Sequence, residues 1–152
     1  DNGLDSNAAA SVYISIAITI ALGNLITGIL IDKIQAKYLL AIALGFMSLS
    51  LIYVQSLSSN ISIIVYGVIL GSVFGIGGTV ARVIYAKYFG REHLGQISGT
   101  GSTIMIFGSA LGPMPLGIAR DLLGSYNSSL NLLALLPFTL AILSLFVKKP
   151  KK

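Results

Sequence analysis

Asn24 and Asp32 are the residues of this chain with the most chemistry at their disposal. Asn24 is the most polar side chain set well inside an apolar run. Its carboxamide can hydrogen-bond a carbonyl or carboxylate of a bound solute, or a hydroxyl or backbone group of a neighbouring helix. Thr19 and Thr27 lie on either side of it, and their hydroxyls can line the same surface or bond back to their own helix. Asp32 follows the run in Gly28-Ile-Leu-Ile-Asp32-Lys33-Ile-Gln-Ala-Lys37. A carboxylate facing a helix amino terminus interacts with its free N–H groups by about 0.3–1 kcal/mol. Made in only one conformation, such a contact biases an equilibrium, which is gate chemistry. The plainer reading of Asp32 is a solvated loop acid beside Lys33, and both readings stay open.

Other chemistries lack their parts. His93 is the sole histidine and the chain has no cysteine, so zinc and haem sites lack their usual ligands. No nucleophile–base pair, phosphate loop or paired carboxylates can be found, and neither an enzyme nor a cofactor is expected. The net charge of +5 is divided among separate short segments and forms no basic surface for nucleic acid.

The elements that must carry these residues are apolar runs. With 55% hydrophobic and 10% charged residues, the chain lies far from the ~25% charged of a soluble domain. Uncharged runs at 8–31, 38–54, 61–81, 97–119 and 130–147 each approach the ~20 residues a helix needs to cross ~30 Å of hydrocarbon. The expected fold is therefore all-α, a polytopic membrane bundle of five transmembrane helices. Threaded up and down, the runs put nine of the ten Lys and Arg on one side, Lys33, Lys37, Arg82, Lys87, Arg91 and the tail lysines. Short cytoplasmic loops are the basic ones, so the carboxyl end is expected inside and Asp1 outside. Arg82 to Leu94 reads as a short interfacial stretch with Tyr85, Tyr88 and Phe89 at headgroup level. The absence of an initiator Met and the odd number of spans point to a piece of something longer.

The spans differ in kind. The second and fifth are almost uniformly aliphatic and are expected outermost, against lipid. The third places Gly67, Gly71, Gly75 and Gly78 on one face, and the fourth aligns Gly101, Met105, Gly108, Ser109 and Gly112. On the first, Ile18, Leu22, Leu25, Ile26 and Ile29 cover one side while Ala17, Ala21, Asn24, Thr27 and Gly28 gather on the other. Small residues so spaced let backbones approach in lipid. The expectation is a groove lined by the first, third and fourth spans, with Asn24, Thr19, Thr27, Met105 and Ser109 as candidates to meet a solute. Pro113 should kink the fourth span, Pro115 should help end it, and Pro137 should bend the fifth.

The segment from Gly28 to Lys37 resembles the Gly-x-x-x-Asp-Arg/Lys-x-Gly-Arg/Lys-Arg/Lys loop signature of the major facilitator superfamily, with Gln35 and Ala36 in place of the second Gly and one basic residue. Tyr88-Phe-Gly90-Arg91-Glu-His-Leu94-Gly95-Gln-Ile-Ser-Gly99, Gly108-Ser-Ala-Leu-Gly112-Pro113-Met-Pro-Leu-Gly117 and Asp121-Leu-Leu-Gly124-Ser125-Tyr126 are similar to the stretch around its tenth and eleventh helices. Together they resemble the monocarboxylate and oxalate/formate-like branch. That resemblance implies helices eight to twelve of a twelve-helix transporter, with Gly28, Asp32, Lys33 and Lys37 as a gating motif. It also implies membrane lipid, a small-molecule substrate and the amino-terminal half of the same transporter as partners, in the cell membrane. Members of the branch pair a carboxylate substrate with a basic residue in helix eight or eleven, and neither span carries one here. A channel or assembly subunit, or a non-transporting membrane scaffold, is the alternative. The channel or assembly subunit does not predict the loop motif, whereas low-polarity spans would suffice for a scaffold.

Overall fold

The computed structural model describes residues 6–89, 94–112, 114, 116–118, 121 and 126–147. Its main elements are α1 (Ser6–Leu30), α2 (Ala36–Tyr53) with a 3₁₀ turn at Val54–Ser56, α3 (Asn60–Phe89), α4 (Leu94–Leu111) and α5 (Tyr126–Phe146). No strand occurs among the described residues. Five helical segments are long and apolar enough to cross a membrane, Ser11–Leu30, Ala36–Ser56, Asn60–Lys87, Leu94–Ile118 and Tyr126–Phe146. The protein is an all-α bundle of membrane-spanning helices. The kink expected at Pro113 and the helix end expected at Pro115, together with His93, Arg91 and the tail lysines, lie outside the described residues.

Local chemistry sets the helix ends. Ser59 precedes α3 and its hydroxyl accepts the Ser62 N–H at 3.2 Å, while the Ser62 hydroxyl accepts the Ser59 N–H at 3.0 Å. This reciprocal exchange satisfies donors that the first turn leaves free. At its other end α3 runs to Phe89, so most of the expected interfacial stretch is helix. Nothing from Thr79 to Phe89 is Gly or Pro, and Ala81, Arg82 and Lys87 favour helix. Lys87 in the last turn complements the dipole there. At ~1.5 Å per residue this helix exceeds the ~30 Å hydrocarbon core and carries its charges beyond it.

Packing follows small residues. α1 lies against α3, α3 against α2, and α2 against α5, whereas α4 meets mainly α3. The second span is therefore not outermost: α2 is held on both sides, burying Leu39, Ala43, Ser48 and Ser50. Its aliphatic composition hid a face in which Ala43 comes against Gly77 and Ser48 meets α5. Ile31, Leu39 and Val80 form a buried cluster where the α1–α2 loop meets α3. Pro137 is buried in α5, and the Ser48 hydroxyl donates to the Ala134 carbonyl at 2.8 Å, in the turn that Pro137 disturbs. Neighbouring hydroxyls are how proline breaks are tolerated within a membrane.

α1 and α3 run parallel in a fixed register. Ser15 opposes Gly67, Thr19 opposes Gly71 and Gly23 opposes Gly75, each partner numbered 52 higher. A Cβ placed on Gly75 would stand 3.1 Å from the Gly23 Cα, so backbone meets backbone. Ile18, Leu22, Leu25, Ile26 and Ile29 point away from this contact and are exposed on the isolated chain. The other expected face is displaced: Ala17, Ala21 and Gly28 are also exposed, and the packed row is Ser15, Thr19, Gly23 and Thr27. The reason is spacing. A strict four-residue row on α1 interlocks with Gly67, Gly71 and Gly75, which have the same period.

Candidate functional site

The polar residues of α1 converge on α3. The Thr79 hydroxyl, one step past the Gly67–Gly71–Gly75 row, donates to the Asn24 amide oxygen at 2.8 Å. Thr19 packs its Cβ against Gly71, and Thr27 is only 2% exposed. Asn24 is half-buried, and among the described residues its amide nitrogen donates to no protein group. The sequence pointed to Asn24 but not to Thr79, although Thr79 continues the glycine period and was legible there.

Met105 and Ser109 are placed differently. Both lie on α4, exposed, and the Ser109 hydroxyl donates to the Ile106 carbonyl of its own helix at 2.8 Å. Their helix touches α3 through Tyr85, whose hydroxyl would stand 3.1 Å from a Cβ on Gly101. The three α1 candidates thus sit on the α1–α3 seam, and the two α4 candidates do not join them there.

A second polar site forms at the end of the bundle. A pocket of about 110 Å³ is lined by Asp32, Lys33, Gln35 and Lys87, with Ile31, Ile34, Ala36, Val83 and Ile84 as its apolar wall. Hydrogen bonds from the Lys33 and Ile34 N–H groups to the Leu30 carbonyl, at 2.9 and 2.7 Å, fold the chain into this loop. Gln35 precedes α2 in an extended conformation with no side-chain cap, so the amino end of α2 borders the pocket. Two basic residues and one acidic residue therefore line a small pocket that has an apolar wall. Lys87 was legible only as one basic residue among others. Its place beside Asp32 comes from the parallel packing of α1 and α3, which brings their carboxyl ends together.

Gly28 lies on the approach to this loop, exposed and with no heavy atom within 4 Å of a modest added Cβ. Lys37 is not part of the pocket lining. Its ammonium donates to the Leu145 carbonyl near the end of α5 at 3.0 Å and stands 5.2 Å from the Tyr38 ring centroid. Lys33, Lys37, Lys87 and the end of α5 consequently gather at one end of the bundle, and the Gln55–Asn131 contact marks the other. No group of three or more metal-ligating side chains occurs among the described residues.

A model of the Major Facilitator Superfamily matches residues 1–152. No individual curated protein and no solved structure matches the chain.

Proposed function

The chain belongs to the Major Facilitator Superfamily, a family of transporters, and from that premise we infer that it moves a small solute across a membrane by alternating access. The family match over the full sequence carries this reading. We place the chain as helices eight to twelve, in the carboxyl-terminal half of a monocarboxylate or oxalate/formate-like transporter. The amino-terminal half of the same transporter is the partner that completes it. On this reading the end bearing Lys33, Lys37 and Lys87 is cytoplasmic and the membrane is the cell membrane. The solute is a small organic molecule, an organic anion if the other half supplies the positive charge that these spans lack. It meets Asn24 and Thr19 with Thr27 behind them, and Met105 and Ser109 across from them, once the two halves enclose a cavity at the midplane.

Asp32 and Lys33 act in this scheme as gate groups, with Lys87 as a third charge beside them and Gly28 leaving room for the approach. A carboxylate that meets a helix amino terminus in one access state favours that state. Asp32→Asn is therefore expected to shift the outward-to-inward population ratio about two- to five-fold in the full-length protein, the range set by an interaction of ~0.3–1 kcal/mol. The test is labelling of a single cysteine introduced at Ile34, from each side of the membrane, with an impermeant reagent. Unchanged labelling in Asp32→Asn would return that residue to a solvated loop acid. Asn24→Ala, measured in parallel, should weaken solute affinity if the amide meets the solute. If the amide serves only Thr79, it should lower stability by about 1 kcal/mol or less and leave affinity alone.

A further inference from the structure

α2 and α5 are joined by side-chain hydrogen bonds along nearly their whole shared length. At the loop end Lys37 Nζ donates to the Leu145 carbonyl at 3.0 Å. Midway the buried Ser48 hydroxyl donates to the Ala134 carbonyl at 2.8 Å. At the far end Gln55 Nε2 donates to Asn131 Oδ1 at 2.8 Å. Numbers fall on α5 as they rise on α2, so the helices are antiparallel and these three contacts fix one register. The acceptors explain the positions. Leu145 offers one of the last carbonyls of α5, which have no donor inside the helix, and a cation there also meets the negative end of the dipole. Ala134 lies in the turn weakened by Pro137.

We propose that Lys37 is the positioning residue that pins the loop end of α5 to α2. The pin does not rest on the transporter reading. The motif thus divides into two jobs. Asp32 and Lys33 line the pocket, while Lys37, the second residue of α2, reaches across to the last helix and holds its end. Its charge is used as a cap.

Single cysteines at Val147, just past α5, and at Ile34, in the pocket, report on the two jobs separately. Labelling rates with an impermeant maleimide are measured in the full-length protein in membranes, with no solute present. Lys37→Met should raise the rate at Val147 about two- to five-fold, the scale of a charge at a helix end, and leave Ile34 unchanged. Lys37→Arg should retain the native rate at Val147, because a guanidinium can still donate to the carbonyl. If Lys37→Met does not fold, Lys37→Gln takes its place and should label faster at Val147 than Lys37→Arg. An unchanged rate at Val147, or parallel changes at Val147 and Ile34 like those expected of Asp32→Asn, would overturn the assignment. Failure of alternating access with a normal result at Val147 would remove the transport reading and leave the pin.

Discussion

Gly71→Val is expected to force α1 away from α3. A Cβ at that position would stand 2.7 Å from the Thr19 Cβ and 2.8 Å from the Ile16 carbonyl oxygen. Real Cβ atoms are not found so close, and the carbonyl belongs to a helix backbone that cannot rotate away. Overpacking in a well-filled interface costs about 1–3 kcal/mol, and Val carries two further methyl groups into the same space. Lipid offers the separated helices a fully apolar alternative, so little opposes their separation. Thermal unfolding of the purified full-length protein in detergent should show a clear loss. Gly45→Val on α2, where nothing lies within 4 Å of an added Cβ, should remain close to the native protein. Equal melting of the two variants would mean that the parallel register of α1 and α3 is wrong.

The second large effect is expected at the loop end of the bundle. Leu39 is 4% exposed and packs with Ile31 and Val80, where α1, α2 and α3 come together. Leu39→Ala removes three carbons from that cluster and leaves a cavity beneath the pocket. Such truncations cost about 2–5 kcal/mol in soluble cores. The lower end of that range applies here, because the transfer part is reduced when lipid is the alternative environment and the lost packing remains. Ile42→Ala is the comparison. Ile42 is on the same helix but exposed on the isolated chain, and its truncation should change stability by less than about 0.5 kcal/mol. Denaturation in mixed micelles measures both, and a loss for Ile42→Ala as large as for Leu39→Ala would show that α2 packs by a different face.

Much of this architecture is written in the chain because membranes impose strong rules. Five apolar runs, Lys33, Lys37 and Lys87 at one end and the glycine row of α3 follow from length, charge and period. The contact face of α1 was harder to see. Thr19 reads as a cavity candidate, yet its Cβ also packs against Gly71, and one turn earlier Ser15 packs against Gly67 and satisfies its hydroxyl on the Val12 carbonyl at 2.8 Å. The length of α3 was missed because Arg82 and Lys87 mark the edge of the hydrocarbon without ending a helix. The place of α2 was missed because an aliphatic helix can face lipid or other helices with the same composition. Lys37 could not be assigned from its motif, since its acceptor lies 108 residues away. The same holds for the pocket, whose Asp32 and Lys87 come from separate spans.

Ser109 on α4 offers the most direct test of alternating access. A single cysteine there, in the full-length protein reconstituted in vesicles, is treated with an impermeant maleimide from one side or from the other. Alternating access predicts reaction from both sides, with a ratio of the two rates that Asp32→Asn shifts two- to five-fold. Reaction from one side only, or from neither, or from both sides with a ratio that no gate substitution moves, would contradict it.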